Sequence, residues 1–67
     1  MNKEEIIKIF EKGKKYSLIW RGIYGNYHDF SGIFSRFNDI EFIFIDDEGD
    51  EETFLPREIK EVKEIVE

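Results

Sequence analysis

Residues 40–45, with the sequence Ile-Glu-Phe-Ile-Phe-Ile, constrain the fold of this chain more than any other segment. β-Branched and aromatic residues favour strands, and alternation places Ile40, Phe42 and Phe44 on one face of such a strand. Ile43 also makes the opposite face apolar, so an exposed edge here would promote aggregation. Either neighbouring strands or a second copy of the chain must cover this segment, which predicts a β-sheet protein.

The composition supplies the core that such a sheet needs. Hydrophobic residues make up 40% of the 67 residues and aromatic residues 16%, which argues against disorder and predicts one domain over residues 1–67. The absence of cysteine excludes disulfides, cysteine-based zinc sites and thiol chemistry. No apolar run approaches the roughly 20 residues of a membrane span, and the polar N-terminus is not typical of a signal peptide. We therefore expect a cytoplasmic protein with no membrane partner.

The N-terminal segment has helical periodicity. Ile6, Ile9 and Phe10 recur at spacings of three and four, which predicts an amphipathic helix over residues 3–12 with Asn2 as its N-cap. So short a helix is not stable alone in water, so it has to pack on the sheet.

Alternating apolar residues, bounded by glycine, asparagine and aspartate, predict four hairpin-connected strands. Gly32 is expected at a bend of the second strand. The four strands are residues 15–21, 29–37, 40–45 and 52–55.

Two interpretations stay open after Pro56, which ends the fourth strand. Ile59, Val62 and Val66 have the spacing of an amphipathic helix. Alternatively, a 3₁₀ turn at Pro56–Ile59 precedes a closing strand over residues 61–66. We favour the strand, because a fifth strand can pair with the first and close a barrel.

This order of elements resembles the small five-stranded barrels of the SH3-like class, particularly the Sm-like variant with its N-terminal helix. The resemblance rests on Lys15–Arg21 as a first strand after a helix, on Phe-Ser-Gly-Ile-Phe at residues 30–34, and on Phe-Leu-Pro-Arg-Glu-Ile at residues 54–59. It implies a mainly β fold with an N-terminal α-helix and about five antiparallel strands. The sequence lacks the Asp-Ile/Asn type loop motif and the closing Arg-Gly pair that Sm proteins use for RNA.

The net charge of −6 is unevenly distributed along the chain. Residues 1–37 have seven basic and four acidic side chains, whereas residues 38–67 have three basic and twelve acidic ones. A dense acidic turn is commonly a solvated surface, but it also suits a partner with a basic surface. In an inhibitor of the phage type, it would mimic the phosphates of a nucleic acid. Six of the carboxylates crowd into one predicted turn, namely Asp46, Asp47, Glu48, Asp50, Glu51 and Glu52.

The sequence offers little for catalysis or for a bound metal. His28 is the only histidine, and its neighbour Asp29 does not make the pair a catalytic dyad. Nucleophile-elbow and phosphate-loop motifs are absent. The acidic turn does not follow the register of a calcium-binding EF-hand loop. We therefore predict that the protein is not an enzyme and has no cofactor or specific metal site.

Residues typical of binding hot spots concentrate between the first two strands. Trp20 is expected at the core or at its lid, whereas Tyr24 and Tyr27 are expected on the surface. We predict a protein-binding module, a small acidic adaptor or regulator. Its predicted partner contacts are Trp20, Arg21, Tyr24, Tyr27, Asp46, Asp47, Glu48, Asp50, Glu51 and Glu52.

An RNA- or DNA-binding Sm-like protein is a further alternative, although the net charge disfavours nucleic acid. It would require the basic side chains to gather on one surface, and it would use the aromatic residues as stacking platforms. Homo-oligomerisation also stays open. The basic residues concerned are Lys8, Lys12, Lys14, Lys15, Arg21 and Arg36.

Overall fold

Five antiparallel strands and one short helix form the fold in the computed structural model, which describes residues 3–66. The predicted Asn2 cap lies outside these residues. The strands are arranged in the order β4-β3-β2-β1-β5 in a single sheet. In chain order the elements are α1 (Lys3–Ile7), β1 (Lys15–Arg21), β2 (Tyr27–Phe37), β3 (Phe42–Ile45), β4 (Glu51–Phe54), a 3₁₀ turn (Pro56–Glu58) and β5 (Ile59–Glu64).

The long strand β2 organises the sheet by changing partners along its length. Residues 27–33 pair with β1, and residues 33–37 pair with β3. Gly32 lies at this change, and a Cβ atom added there would come within 2.7 Å of the Ile45 carbonyl oxygen and of a Phe30 ring carbon. Glycine is required at this position, because only glycine allows this close approach. The irregularity of β2 itself lies a few residues later, between Phe34 and Arg36, where its register with β3 shifts.

The aromatic residues form the core. Phe44 is fully buried, and its ring centroid lies 5.0 Å from that of Phe10, 5.4 Å from Phe34 and 5.8 Å from Phe54. Such edge-on ring pairs add to the free energy gained by burying apolar area. The high aromatic content thus serves the core of a small domain, whose members are Ile6, Phe10, Tyr16, Leu18, Phe34, Phe42, Phe44, Phe54 and Ile59.

The strand predicted over residues 40–45 begins two residues later, at Phe42. The Asn38 Oδ1 atom accepts the backbone N–H groups of Ile40 and Glu41, each at 2.8 Å, and this turn holds Ile40 outside the strand. Ile40 is therefore exposed and does not share a face with Phe42, contrary to the prediction. Of the two ways to cover this segment, the structure shows neighbouring strands, because β3 lies between β2 and β4.

The helix is shorter than predicted. It ends at Ile7 instead of residue 12, and the chain then turns so that Phe10 enters the core. The Tyr16 hydroxyl explains this turn: it accepts the Glu11 N–H at 2.7 Å and donates to the Ile9 carbonyl at 3.1 Å. A buried side chain of β1 thereby satisfies backbone groups that a longer helix would have paired internally.

The C-terminal segment forms a strand and not a helix, so the favoured interpretation is confirmed. The 3₁₀ turn is closed by Glu58, whose Oε1 atom accepts the Leu55 N–H at 2.9 Å. Strand β5 then pairs with β1 from Ile59 onward, two residues earlier than predicted. Strands β2 and β4 also begin earlier than predicted, by two residues and one residue respectively.

The sheet is open among residues 3–66. Strands β4 and β5 are its outer members, and no hydrogen-bonded ladder joins them. Apart from Thr53, their exposed side chains are charged, a composition that opposes edge-to-edge pairing with other chains. A mainly β fold of five antiparallel strands with one helix is therefore confirmed, whereas closure into a barrel is not. The charged edge residues are Glu51, Glu52, Lys60, Glu61, Lys63 and Glu64.

Candidate functional site

The turn between β1 and β2 presents two large apolar side chains to solvent. Its backbone is closed by two hydrogen bonds, from Gly22 N–H to the Asn26 carbonyl at 2.8 Å and from Gly25 N–H to the Gly22 carbonyl at 3.0 Å. Gly25 has a φ of 81°, a left-handed conformation that glycine adopts without strain. At the tip, Ile23 is 88% exposed and Tyr24 is 87% exposed.

Arg21 and Tyr27 flank this turn as directly opposed residues of β1 and β2. Tyr27 is 58% exposed. The Arg21 guanidinium extends back toward the turn, since a Cβ atom added to Gly25 would lie 3.5 Å from its Nη2 atom. The structure therefore brings three predicted contact residues together: Arg21, Tyr24 and Tyr27.

Trp20 lies apart from these residues. Successive strand residues face opposite sides of the sheet, so Trp20 is on the core face while Arg21 is not. Its ring centroid is 4.7 Å from that of His28 and 5.6 Å from that of Phe54, and it packs against the core. Trp20 is half-buried at the margin of the core, which agrees with its expected position there.

Two cations that the sequence analysis did not single out adjoin Arg21. Arg57 and Lys60 line a shallow depression with Arg21 and Tyr27, and Arg57 lines a second one with Arg21 and Ile23. The predicted closing strand could have indicated these two residues. When β5 pairs with β1, residues near 60 lie beside the end of β1. We call Arg21, Ile23, Tyr24, Tyr27, Arg57 and Lys60 the hairpin surface.

The three cations of the hairpin surface form no ion pair with any residue in 3–66. Glu58 is the acidic residue lining the same depressions, and its Oε1 atom already accepts the Leu55 N–H. In a chain of net charge −6, the hairpin surface is therefore a local concentration of positive charge beside exposed apolar side chains.

Several carboxylates of the predicted acidic turn, residues 46–52, form contacts within the protein itself. The Asp46 Oδ1 atom accepts the N–H groups of Glu48 and Asp50, each at 2.9 Å. Backbone hydrogen bonds from Asp46 N–H to the Asp50 carbonyl at 2.9 Å and from Gly49 N–H to the Asp46 carbonyl at 3.1 Å complete the turn. Asp46 thus stabilises the hairpin between β3 and β4.

Ion pairs engage two more carboxylates of the acidic turn. Glu51 and Arg36 form a two-pronged contact, with N–O distances of 2.8 and 3.4 Å. The hydrogen bond from Arg36 and its charge lower the pKa of Glu51. Asp47 lies 3.6 Å from the Lys15 Nζ atom. Three carboxylates, those of Glu48, Asp50 and Glu52, have no such contact within residues 3–66.

The acidic turn does not offer a metal site in the part of the chain that the structure describes. Glu48 and Glu52 line a shallow depression with Asp29. No group of three or more acidic or histidine side chains among residues 3–66 is arranged to hold a metal ion. His28 and Asp29 also face opposite sides of β2, because neighbouring strand residues alternate.

Two of the basic residues considered for a nucleic-acid surface lie far apart along the sheet, and a third is paired with a carboxylate. Lys15 and Arg21 stand at opposite ends of β1. Lys14 pairs with Glu11 at 3.0 Å, and this contact raises the pKa of Lys14. The positive charge that does accumulate is at the hairpin surface, where only Arg21 belonged to the predicted set.

Comparisons of the chain with models of protein families, with curated proteins and with solved structures return no match. The α-helix Lys3–Ile7 has five residues. No helix among residues 3–66 therefore reaches the roughly 20 apolar residues that crossing a membrane requires.

Proposed function

We propose that the protein is a non-enzymatic protein-binding module, an adaptor or regulator that contacts its partner through the hairpin surface. The exposure of Ile23 and Tyr24 carries this proposal, because both side chains project from a closed turn that gives them no core contact. Tyrosine and arginine are enriched among the residues that dominate binding energy, and Tyr27 and Arg21 adjoin the tip.

The backbone of the turn is already ordered in the free protein, which favours binding. The hydrogen bonds that close residues 22–26 fix the backbone before a partner arrives. Ordering a loop on binding costs free energy, so a turn that is already ordered retains more of the contact energy as affinity.

For the fold, we infer a distant relation to the SH3-like and Sm-like barrels. The strand order β4-β3-β2-β1-β5, the register shift within the long second strand and the 3₁₀ turn before the last strand support this relation. This fold class hosts many activities, so it does not decide the function.

The acidic turn supports a nucleic-acid mimic less well than its composition suggests. A mimic needs carboxylates that are free to replace phosphates on the partner. Asp46 is engaged by the backbone of the turn, and Asp47 and Glu51 by basic side chains of the same chain. Only half of the six carboxylates are left for an external cation.

The proposal is tested by comparing two variants as baits in affinity capture from the source cell. Tyr24→Ala plus Tyr27→Ala should lose the captured partner, because it removes the aromatic contacts. Replacing Asp47, Glu48, Asp50 and Glu51 with lysine should leave capture intact. If the lysine variant loses the partner and the alanine variant keeps it, the mimic is correct and the hairpin surface is not the binding site.

A further inference from the structure

We propose that the hairpin surface binds a short acidic peptide segment in which carboxylates lie between two apolar side chains. This inference rests on the proposed function and specifies the chemistry of its partner. It is carried by three cations that line two depressions beside exposed apolar side chains and have no ion-pair partner in residues 3–66. The cations are Arg21, Arg57 and Lys60.

Charge complementarity identifies the ligand as an anion. Elsewhere in the described chain, Lys14, Lys15 and Arg36 each have a carboxylate within 4 Å. Lys8, Lys12 and Lys63 also lack such a pair among residues 3–66, but they do not share a depression. At the hairpin surface, three cations line two adjoining depressions, and the one carboxylate that lines them, Glu58, already accepts the Leu55 N–H. This local excess of positive charge favours an anionic ligand. Arginine guanidinium groups bind carboxylates through two parallel hydrogen bonds, which adds geometric specificity to the attraction.

The arrangement of the two shallow depressions predicts the order of residues in the ligand. Arg21 and Arg57 line both depressions, while Ile23 belongs to one and Tyr27 to the other. A segment lying across both would place its carboxylates against the arginines. Its flanking apolar side chains would then contact Ile23 on one side and Tyr27 on the other.

The surroundings favour a short peptide over a nucleic acid. Along the sheet, the row next to Arg21 and Tyr27 contains Ile19 with its cross-strand neighbours Asp29 and Glu61. These two carboxylates limit the basic area on the side that faces the rest of the sheet. A long polyanion would be repelled there, and non-specific nucleic-acid affinity grows with each neutralised phosphate, of which three cations supply few.

The test uses a random peptide library displayed on phage and selected on the intact protein. We expect the enriched sequences to contain aspartate or glutamate flanked by aliphatic or aromatic residues. Synthetic, fluorescently labelled versions are then titrated by anisotropy. Arg21→Glu plus Arg57→Glu should weaken binding about 10- to 100-fold, since it removes charge-assisted hydrogen bonds.

Two further variants separate local from overall charge effects. Lys12→Glu plus Lys63→Glu makes the same change in net charge at exposed positions outside the hairpin surface, and should alter binding by no more than about twofold, as expected for screened, distant charges. Arg21→Gln plus Arg57→Gln removes the cations without adding carboxylates. It should also weaken binding, and it replaces the glutamate variant if circular dichroism finds that variant unfolded.

Several outcomes would overturn the inference. These are enrichment of neutral or basic peptides, no enrichment at all, equal binding to the wild type and both arginine variants, and tighter binding of a short oligothymidylate than of any selected peptide. Acid-free peptides that still require Tyr24 and Tyr27 would refute the acidic ligand and leave the proposed function standing. Selected peptides that bind Tyr24→Ala plus Tyr27→Ala as tightly as the wild type would refute both.

Discussion

The β1–β2 and β3–β4 hairpins have similar backbones, but the side chains of one turn are exposed to solvent while those of the other stabilise the fold. Each turn contains a glycine of positive φ, 81° at Gly25 and 86° at Gly49, and each is closed by backbone hydrogen bonds. In the β3–β4 turn, Asp46 and Glu51 stabilise the protein's own structure. In the β1–β2 turn, Ile23 and Tyr24 face solvent. A cluster of charged residues in a sequence is therefore not necessarily available to a partner, because some of its side chains can be engaged within the protein itself.

The largest expected effect concerns Gly32, where the β1–β2 hairpin packs against the end of β3. Gly32→Ala would place a methyl group 2.7 Å from the backbone oxygen of Ile45. We expect it to lower the free energy of unfolding by about 1–3 kcal/mol, as overpacking typically does. Urea unfolding measures the loss. Ser31→Ala, at the exposed neighbour, is the control, and equal stability of the two variants would contradict the packing described at Gly32.

Alanine substitutions of Asp46 and Asn26 compare how much a side chain contributes to the stability of each turn. Asp46→Ala removes the acceptor of two backbone hydrogen bonds and should cost about 1–2 kcal/mol of stability. Asn26→Ala, in the turn closed by its backbone alone, should change stability by less than about 0.5 kcal/mol. Asp46→Asn keeps the accepting oxygen and should recover most of the loss. The comparison fails if the two alanine variants unfold at the same urea concentration.

The pH dependence of stability reports the ion pair in the acidic turn. Because Arg36 lowers the pKa of Glu51 in the folded protein, the pair stabilises the fold above the ordinary carboxyl pKa. This contribution is lost as the pH falls through the lowered value. Glu51→Gln should therefore reduce stability slightly near pH 7, and this effect should shrink as the pH falls through the lowered pKa of Glu51, below which the carboxylate is protonated in both states. Glu52→Gln, without such a pair in residues 3–66, should not reproduce this dependence.

The smallest expected effect on stability belongs to the hairpin surface. Tyr24→Ala plus Tyr27→Ala should change the free energy of unfolding by less than about 0.5 kcal/mol, because both side chains are exposed. The same variant should abolish partner binding. A large loss of stability, seen as a lower thermal midpoint, would mean that these tyrosines belong to the fold and not to a recognition surface.

Local sequence patterns predicted the parts of the molecule that depend on local chemistry. Alternation located the strands, and the lone glycine of the second strand marked the position at which β2 packs too closely for a side chain. The helix end was wrong because it depends on the hydroxyl of Tyr16, a contact with a later strand. The prediction that Ile40 belongs to the third strand was wrong, because the Asn38 side chain accepts the N–H group of Ile40 in a turn before the strand begins.

The candidate site was only partly predictable for the same reason. Tyr24 follows from its position between two predicted strands, whereas Tyr27, predicted in the same loop, is the first residue of β2. Arg57 joins Arg21 only because the C-terminal segment returns as a strand beside β1. The engagement of Glu51 by Arg36 likewise joins residues that are 15 positions apart. Periodicity reports which face a side chain occupies, but not which distant charge it will meet.

Nuclear magnetic resonance mapping of a library-selected peptide tests the central claim most directly, that the hairpin surface and not the acidic turn meets the partner. On titration into ¹⁵N-labelled protein, the account predicts amide shift changes at residues 21–27 and 57–60. The amides of residues 46–52 should stay unchanged. Shifts confined to residues 46–52, with the hairpin surface silent, would contradict it.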